Sequence, residues 1–227
     1  MSVLIKICGL KSPEMLEVAL AAGADMVGFV FFAPSPRNLS LADARALGPH
    51  VRGRALKVAL SVDAADVELE EIVEAISPDL LQLHGSESPE RVSAVRRKFG
   101  LPVMKALPIA ERADLARIRF YEGTADRLIF DALPPREASR PGGLGRSFDW
   151  QLLRALDCAV PFMLSGGLHA ANVAEAFGIA RPDGLDVSSG VESAPGEKDI
   201  DKIRVFIRAV RAADAALAKP LRAAKVR

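Results

Sequence analysis

The sequence predicts an α/β fold, a single closed (β/α)8 barrel, on three observations. Eight short apolar runs alternate with eight segments of i, i+3, i+4 apolar spacing along the 227 residues, and such alternation calls for crossover connections between parallel strands. The runs are rich in Val, Ile and Leu with little alternation, as in strands covered on both faces. Small-residue turns follow the seventh and eighth runs rather than the first, which favours a barrel over its rival, a doubly wound open sheet.

Taken in order, the first strand is expected over residues 3–7, Val3-Leu4-Ile5-Lys6-Ile7, followed by Cys8 and a helix over 13–22. Ser12-Pro13-Glu14 marks that helix start with a cap, a proline in the first turn and an acidic residue. The second strand, 26–30, leads through a loop carrying Pro34-Ser35-Pro36-Arg37 to a helix at 41–48. Strands at 56–61 and 79–83 flank a helix at 65–76, and Ser88-Pro89-Glu90 opens the next, 88–98. Strand 102–106 precedes a helix at 111–118, and strand 127–131 ends on Asp131. The stretch 132–148 is the longest irregular one, and a loop of that length in a compact domain is commonly a lid or binding loop. Asp149 is the better cap candidate for the helix at 149–156, so Asp131 is free for other work. Strand 161–165, helix 170–178, strand 184–187 and helix 199–211 complete the pattern. Residues 1–212 are thus one barrel domain, and 213–227, rich in Ala, Lys and Arg, read as a helical extension or frayed tail.

Composition bounds the function. A net charge of +1 and an aromatic content of 5% carry no signature of nucleic-acid or anionic-membrane binding. Two distant cysteines, Cys8 and Cys158, make neither a disulfide framework nor a metal motif. The chain enters a strand-like run at once, so no signal peptide is expected. No apolar run approaches the roughly 20 residues a bilayer span needs. A cytoplasmic protein is expected.

The chemistry-bearing residues cluster at strand ends. Cys8 sits at the C-terminal end of the first strand, where a barrel builds its active site; Lys6 lies beneath it on the same side. Asp131 ends the sixth strand. Gln82 and His84 share one side of the fourth, and Asp186 faces inward on the eighth. Gly166-Gly167 and Ser188-Ser189-Gly190 follow the last two strands, where backbone N–H groups commonly hold phosphate. Arg37 offers a planar fork to a carboxylate. Cys158 reads as structural, and His84 has no partners at metal spacing. A thiol, a carboxyl and two phosphate-sized turns read as an acid–base enzyme for a small phosphorylated compound. Other readings on these residues are a related phosphosugar barrel, of the aminoimidazole or pentose-phosphate epimerase type, and a non-catalytic phosphate-ligand sensor. The first would be expected to use two carboxylates or a metal; a sensor would bind without turnover.

The chain resembles the phosphoribosylanthranilate isomerase family. The resemblance rests on Lys6-Ile7-Cys8-Gly9-Leu10, Gly23-Ala24-Asp25, Gly28-Phe29-Val30-Phe31, Ser35-Pro36-Arg37, Gln82-Leu83-His84-Gly85, Asp131, Gly142-Gly143-Leu144-Gly145, Phe148-Asp149-Trp150, Ser165-Gly166-Gly167-Leu168 and Asp186-Val187-Ser188-Ser189-Gly190-Val191-Glu192, in order from end to end. Leu144 stands where the family usually carries Thr or Ser, and Lys11 where it carries Thr. The resemblance implies an Amadori rearrangement in tryptophan biosynthesis, with Asp131 as general acid and Cys8 as general base. Arg37 would hold the anthranilate carboxylate and Gln82, His84 and Asp186 would contact substrate. Gly166, Gly167, Ser188, Ser189 and Gly190 would hold the phosphate. No cofactor or metal is implied, and the partners are the phosphorylated substrate and at most a second copy, as monomer or homodimer. A base of this kind needs thiolate, so the Cys8 pKa is expected to fall from about 8.5, with help from Lys6.

Overall fold

A computed structural model describes residues 2–218. Eight parallel strands close into a barrel in chain order: β1 (Leu4–Cys8), β2 (Met26–Phe31), β3 (Leu56–Ser61), β4 (Leu80–Leu83), β5 (Val103–Ile109), β6 (Arg127–Ala132), β7 (Phe162–Leu164) and β8 (Gly184–Val187). The last strand returns to the first, with Lys6 in register with Asp186. The helices are α1 (Pro13–Ala22), α2 (Leu41–Leu47), α3 (Asp66–Ile76), α4 (Pro89–Phe99), α5 (Ile118–Tyr121), α6 (Val173–Ala180) and α7 (Ile200–Ala218). A two-stranded antiparallel hairpin, β9 (Glu192–Ala194) and β10 (Glu197–Lys198), follows β8.

The expected caps form. Ser12 Oγ accepts from Met15 N at 3.2 Å and Ser88 Oγ from Arg91 N at 3.3 Å, each with proline in the first turn. On α7, Ile203, Phe206, Ile207 and Val210 form a buried stripe at helical spacing. That helix runs on to Ala218, so 213–218 continue it, and 219–227 lie outside the described residues.

Several elements depart from the sequence reading. The helix expected over 111–118 is a 3₁₀ helix, Arg112–Arg117, running into the one-turn α5. The helix expected over 149–156 shrinks to a 3₁₀ turn, Trp150–Leu153. The first buries no side chain and the second only Leu153, and short helices without a buried face gain too little packing to persist. Asp149 does cap the latter turn, accepting from Gln151 N at 2.9 Å. Helix α6 starts at Val173, not at 170, because Asn172 Oδ1 takes the His169 N–H at 2.8 Å and its Nδ2 donates to Gly167 O at 3.0 Å. Strand β5 runs three residues past the expected end, paired with β6 as far as Ala132.

Inside the barrel, Met26, Val58, Met104, Ile129 and Met163 belong to one buried apolar cluster. Polar side chains come next: Lys6, Gln82 and Asp186 are all buried. Cys8, Val30 and Leu60 form a further cluster toward the C-terminal strand ends. Gly28 makes room for this stacking, since a Cβ there would lie 2.9 Å from Cys8 Sγ and 3.1 Å from Lys6 Nζ.

Candidate active site

A cleft opens at the C-terminal ends of the strands. Cys8, Arg37, His84, Asp131 and Asp186 line it, together with residues 140–146 of the long loop, 165–168 after β7 and 187–189 after β8. Residues from seven separate parts of the chain meet there because parallel strands deliver all their C-terminal ends to one face.

Cys8 ends β1 and is buried. Its thiol is pushed up, not down: burial is the largest influence, and the Lys6 ammonium opposes it without prevailing. The expected fall is therefore corrected, because β1 brings Cys8 into an apolar cluster as well as above a cation. Lys6 is held above its ordinary value; burial acts to lower it, but Asp186 and Cys8 outweigh that. Lys6 Nζ donates to Asp186 Oδ1 at 2.8 Å, and Ser165 Oγ to Asp186 Oδ2 at 3.1 Å. Asp186 is thus committed on both oxygens while still reaching the cleft wall.

Asp131 is 6% exposed. Its Oδ1 accepts from Ala132 N at 2.8 Å, and its Oδ2 lies 3.4 Å from His84 Nε2. Gln82 is fully buried beneath, with Nε2 3.3 Å from His84 Nδ1. The His84 ring thus spans the two side chains, with Nδ1 toward the Gln82 amide and Nε2 toward the Asp131 carboxyl. Gln82 therefore sits behind His84 and not on the cleft wall. The lid loop comes down on this pair at Gly142, where a Cβ would be 2.7 Å from Asp131 Oδ2 and 2.9 Å from His84 Nε2. The Gly-Gly motif of the loop is read most directly from this close approach.

Residues 165–167 and 188–189 border the cleft, whereas Gly190 lies against Leu168 O. No helix N-terminus stands directly behind the first turn, because α6 begins only at Val173; the second is itself part of a 3₁₀ helix of three residues, Ser189–Val191. Ser188 Oγ donates to Cys8 O at 3.1 Å and receives Lys198 Nζ at 3.2 Å, and Ser165 N donates to Phe130 O at 2.8 Å.

Arg37 is buried, and its fork is already occupied. Nε and Nη2 each donate to Glu192 at 2.7 Å, and Nη2 also to Gly143 O at 3.1 Å. Glu192 takes two further bonds, from Lys198 Nζ at 2.7 Å and Gly196 N at 3.2 Å. Burial acts to raise its carboxyl, but Arg37 and Lys198 outweigh it and hold the pKa down to about 2. The sequence reading assigned Glu192 no role. Its only signal was an acidic residue next to a run of small ones, and nothing local ties it to Arg37, 155 positions away. Of the departures from the family pattern, Lys11 Nζ caps Pro36 O at 2.9 Å and Leu144 lines the cleft.

Residues 5–209 match the family described as N-(5'phosphoribosyl)anthranilate isomerase. The chain belongs to this family. Among the N-(5'-phosphoribosyl)anthranilate isomerases it is similar to, that of Rhodopseudomonas palustris strain BisB5 is 60% identical over 214 residues, 94% of this chain and 98% of that protein. That of Nitrobacter winogradskyi is 61% identical over 217 residues, 96% of each. A crystal structure of phosphoribosyl anthranilate isomerase from Thermotoga maritima superposes with a TM-score of 0.83 at 32% identity, covering 92% of this chain and 99% of that one. Another isomerase, solved in complex with reduced 1-(o-carboxyphenylamino)-1-deoxyribulose 5-phosphate, gives 0.78 at 30% identity over the same shares. The isomerase family is therefore reached from whole-chain similarity, and the cleft lies where barrels of this kind place their chemistry.

Proposed function

We propose that this chain performs the Amadori rearrangement of tryptophan biosynthesis, converting N-(5-phosphoribosyl)anthranilate to 1-(2-carboxyphenylamino)-1-deoxy-D-ribulose 5-phosphate by general acid–base catalysis. The observation that carries the reading is one cleft holding Cys8 and Asp131, with Arg37 beside them and two small-residue turns along its rim. Asp131 gives its proton to the ribose ring oxygen as the C1–O bond breaks, leaving an iminium. Cys8 then takes the proton from C2, the C–H pair forms the enolamine, and tautomerisation gives the ketone. The iminium places positive charge next to C2, and a cation close to a thiol favours its ionised form. Ring opening thus supplies what burial withholds from Cys8, with Lys6 as standing counter-charge.

Arg37 receives the anthranilate carboxylate, and Gly166, Gly167, Ser188, Ser189 and Gly190 the phosphate. His84 and Asp186 contact substrate, and Gln82 fixes the ring of His84 from below. The reaction needs no metal or organic cofactor, because the iminium is its own electron sink. Residues 1–212 carry the activity, as monomer or homodimer in the cytoplasm. The test is a continuous fluorescence assay following loss of the phosphoribosylated anthranilate signal. Absence of turnover with intact product-analogue binding would instead indicate a sensor.

A further inference from the structure

We propose that Glu192 is a positioning residue for Arg37, holding the side-on edge of the guanidinium so that Nη1 is the one nitrogen offered to a ligand carboxylate. The proposal rests on the reading that Arg37 receives that carboxylate, and it deepens it. A guanidinium has five N–H donors. Nε and one hydrogen of Nη2 go to Glu192, and Gly143 O accepts from Nη2 as well. Nη1 makes no hydrogen bond among the described residues, and Arg37 borders the cleft. Nη1 is also the atom that a Cβ on Gly143 of the lid loop would strike first.

Glu192 is built to stay where it is. Its two oxygens take four bonds, from Arg37 Nε and Nη2, Lys198 Nζ and Gly196 N. Lys198, itself buried, is anchored to Ser188 O at 3.0 Å. The hairpin of β9 and β10 supplies Glu192, Gly196 and Lys198 together, and its Gly196 lies against Pro36 O, next to Arg37. An arginine on a loop otherwise samples many rotamers, and fixing them in advance removes an ordering cost from binding. The three groups Arg37, Lys198 and Glu192 together carry one net positive charge, suited to a single carboxylate.

The experiment compares Glu192→Gln, Arg37→Ala and the double variant. The probes are the reduced aminoketose phosphate analogue and its counterpart lacking the ring carboxylate, with turnover measured in parallel. Arg37→Ala should weaken the carboxylate-bearing analogue roughly ten- to a hundred-fold, the worth of a charge-assisted hydrogen bond, and leave the other unchanged. Glu192→Gln should show the same selectivity with a smaller loss, raise KM more than it lowers kcat, and add nothing in the Arg37→Ala background. Selective loss for Arg37→Ala but not for Glu192→Gln overturns the positioning role alone; no selective loss for Arg37→Ala overturns the carboxylate reading and the proposal with it. Equal weakening of both analogues by Glu192→Gln, or additivity in the double variant, means a merely structural pair and also overturns it. If Glu192→Gln does not fold, Glu192→Asp keeps the charge but shortens the reach. It should give a partial selective loss, and full native selectivity would count against the proposal.

Discussion

At Cys8 one side chain meets two opposing demands. Its place at the end of β1 puts it in the cleft, yet the same place surrounds it with Val30 and Leu60. Free enzyme should therefore alkylate at Cys8 with a pH midpoint above the ordinary thiol value, since burial outweighs Lys6. Substrate analogue should protect Cys8 and not Cys158, as mass spectrometry of labelled peptides can read. A midpoint below the ordinary value would show that Lys6 dominates after all. Cys8→Ser and Asp131→Asn should each lower kcat by about 10²–10⁴-fold, the usual worth of a general acid or base. Both should keep analogue affinity, and the double variant should be far less than multiplicatively worse if the two groups serve one reaction. Near-native turnover of Cys8→Ser would remove the thiol from the mechanism. Cys8 and Asp131 were legible in the sequence because each closes an apolar run, and a strand end is a local signal. The Glu192 partner of Arg37 was not legible, because the contact is made only by barrel closure.

Single elements decide how much of each helix could be foreseen. α1, α3 and α4 carry buried apolar faces, and a serine cap opens α1 and α4; pattern and stability coincide there. The segments after β5 and β6 have apolar residues at helical spacing but fully bury few of them, Ile118 and Tyr121 in one and Leu153 in the other, so spacing alone overstated their helices. The converse test is α7. Phe206 is fully buried on its inner stripe, and Phe206→Ala should cost about 3–5 kcal/mol, measurable as a fall in the urea midpoint at unchanged slope. A loss under 1 kcal/mol would mean that this helix is not anchored as its stripe implies. The turns after β7 and β8 carry a separate expectation. Ser189→Asp would set a negative charge against the phosphate and should raise KM sharply with little effect on the fold, whereas any side chain at Gly166 would also strain the turn, because φ there is +87° and a Cβ would lie 2.8 Å from Ala132 N. Unchanged KM in Ser189→Asp would remove the phosphate from the turn after β8.

Over the whole molecule, buried ion pairs set an acid limit on stability. Glu192 has its folded pKa lowered from 4.5 to about 2, so its contribution is full above pH 4.5 and is lost as pH falls toward 2. That contribution is on the order of 3 kcal/mol. Wild type should lose thermal stability over this window more steeply than Glu192→Gln; parallel curves would deny the link. The return of β8 to β1 has a different consequence, one concerning time. β1 gains its second neighbour only from residues 184–187, and Arg211 of α7 then clasps Val3 O and Asp25 Oδ2. On the ribosome the first strand to emerge must wait, one edge unpaired, for almost the last. Closure is a late, non-local event of the kind that slows folding and leaves an open edge prone to self-association. Nascent chains halted before Gly184 should accordingly need chaperones, and release of the final helix should be the moment of protease resistance.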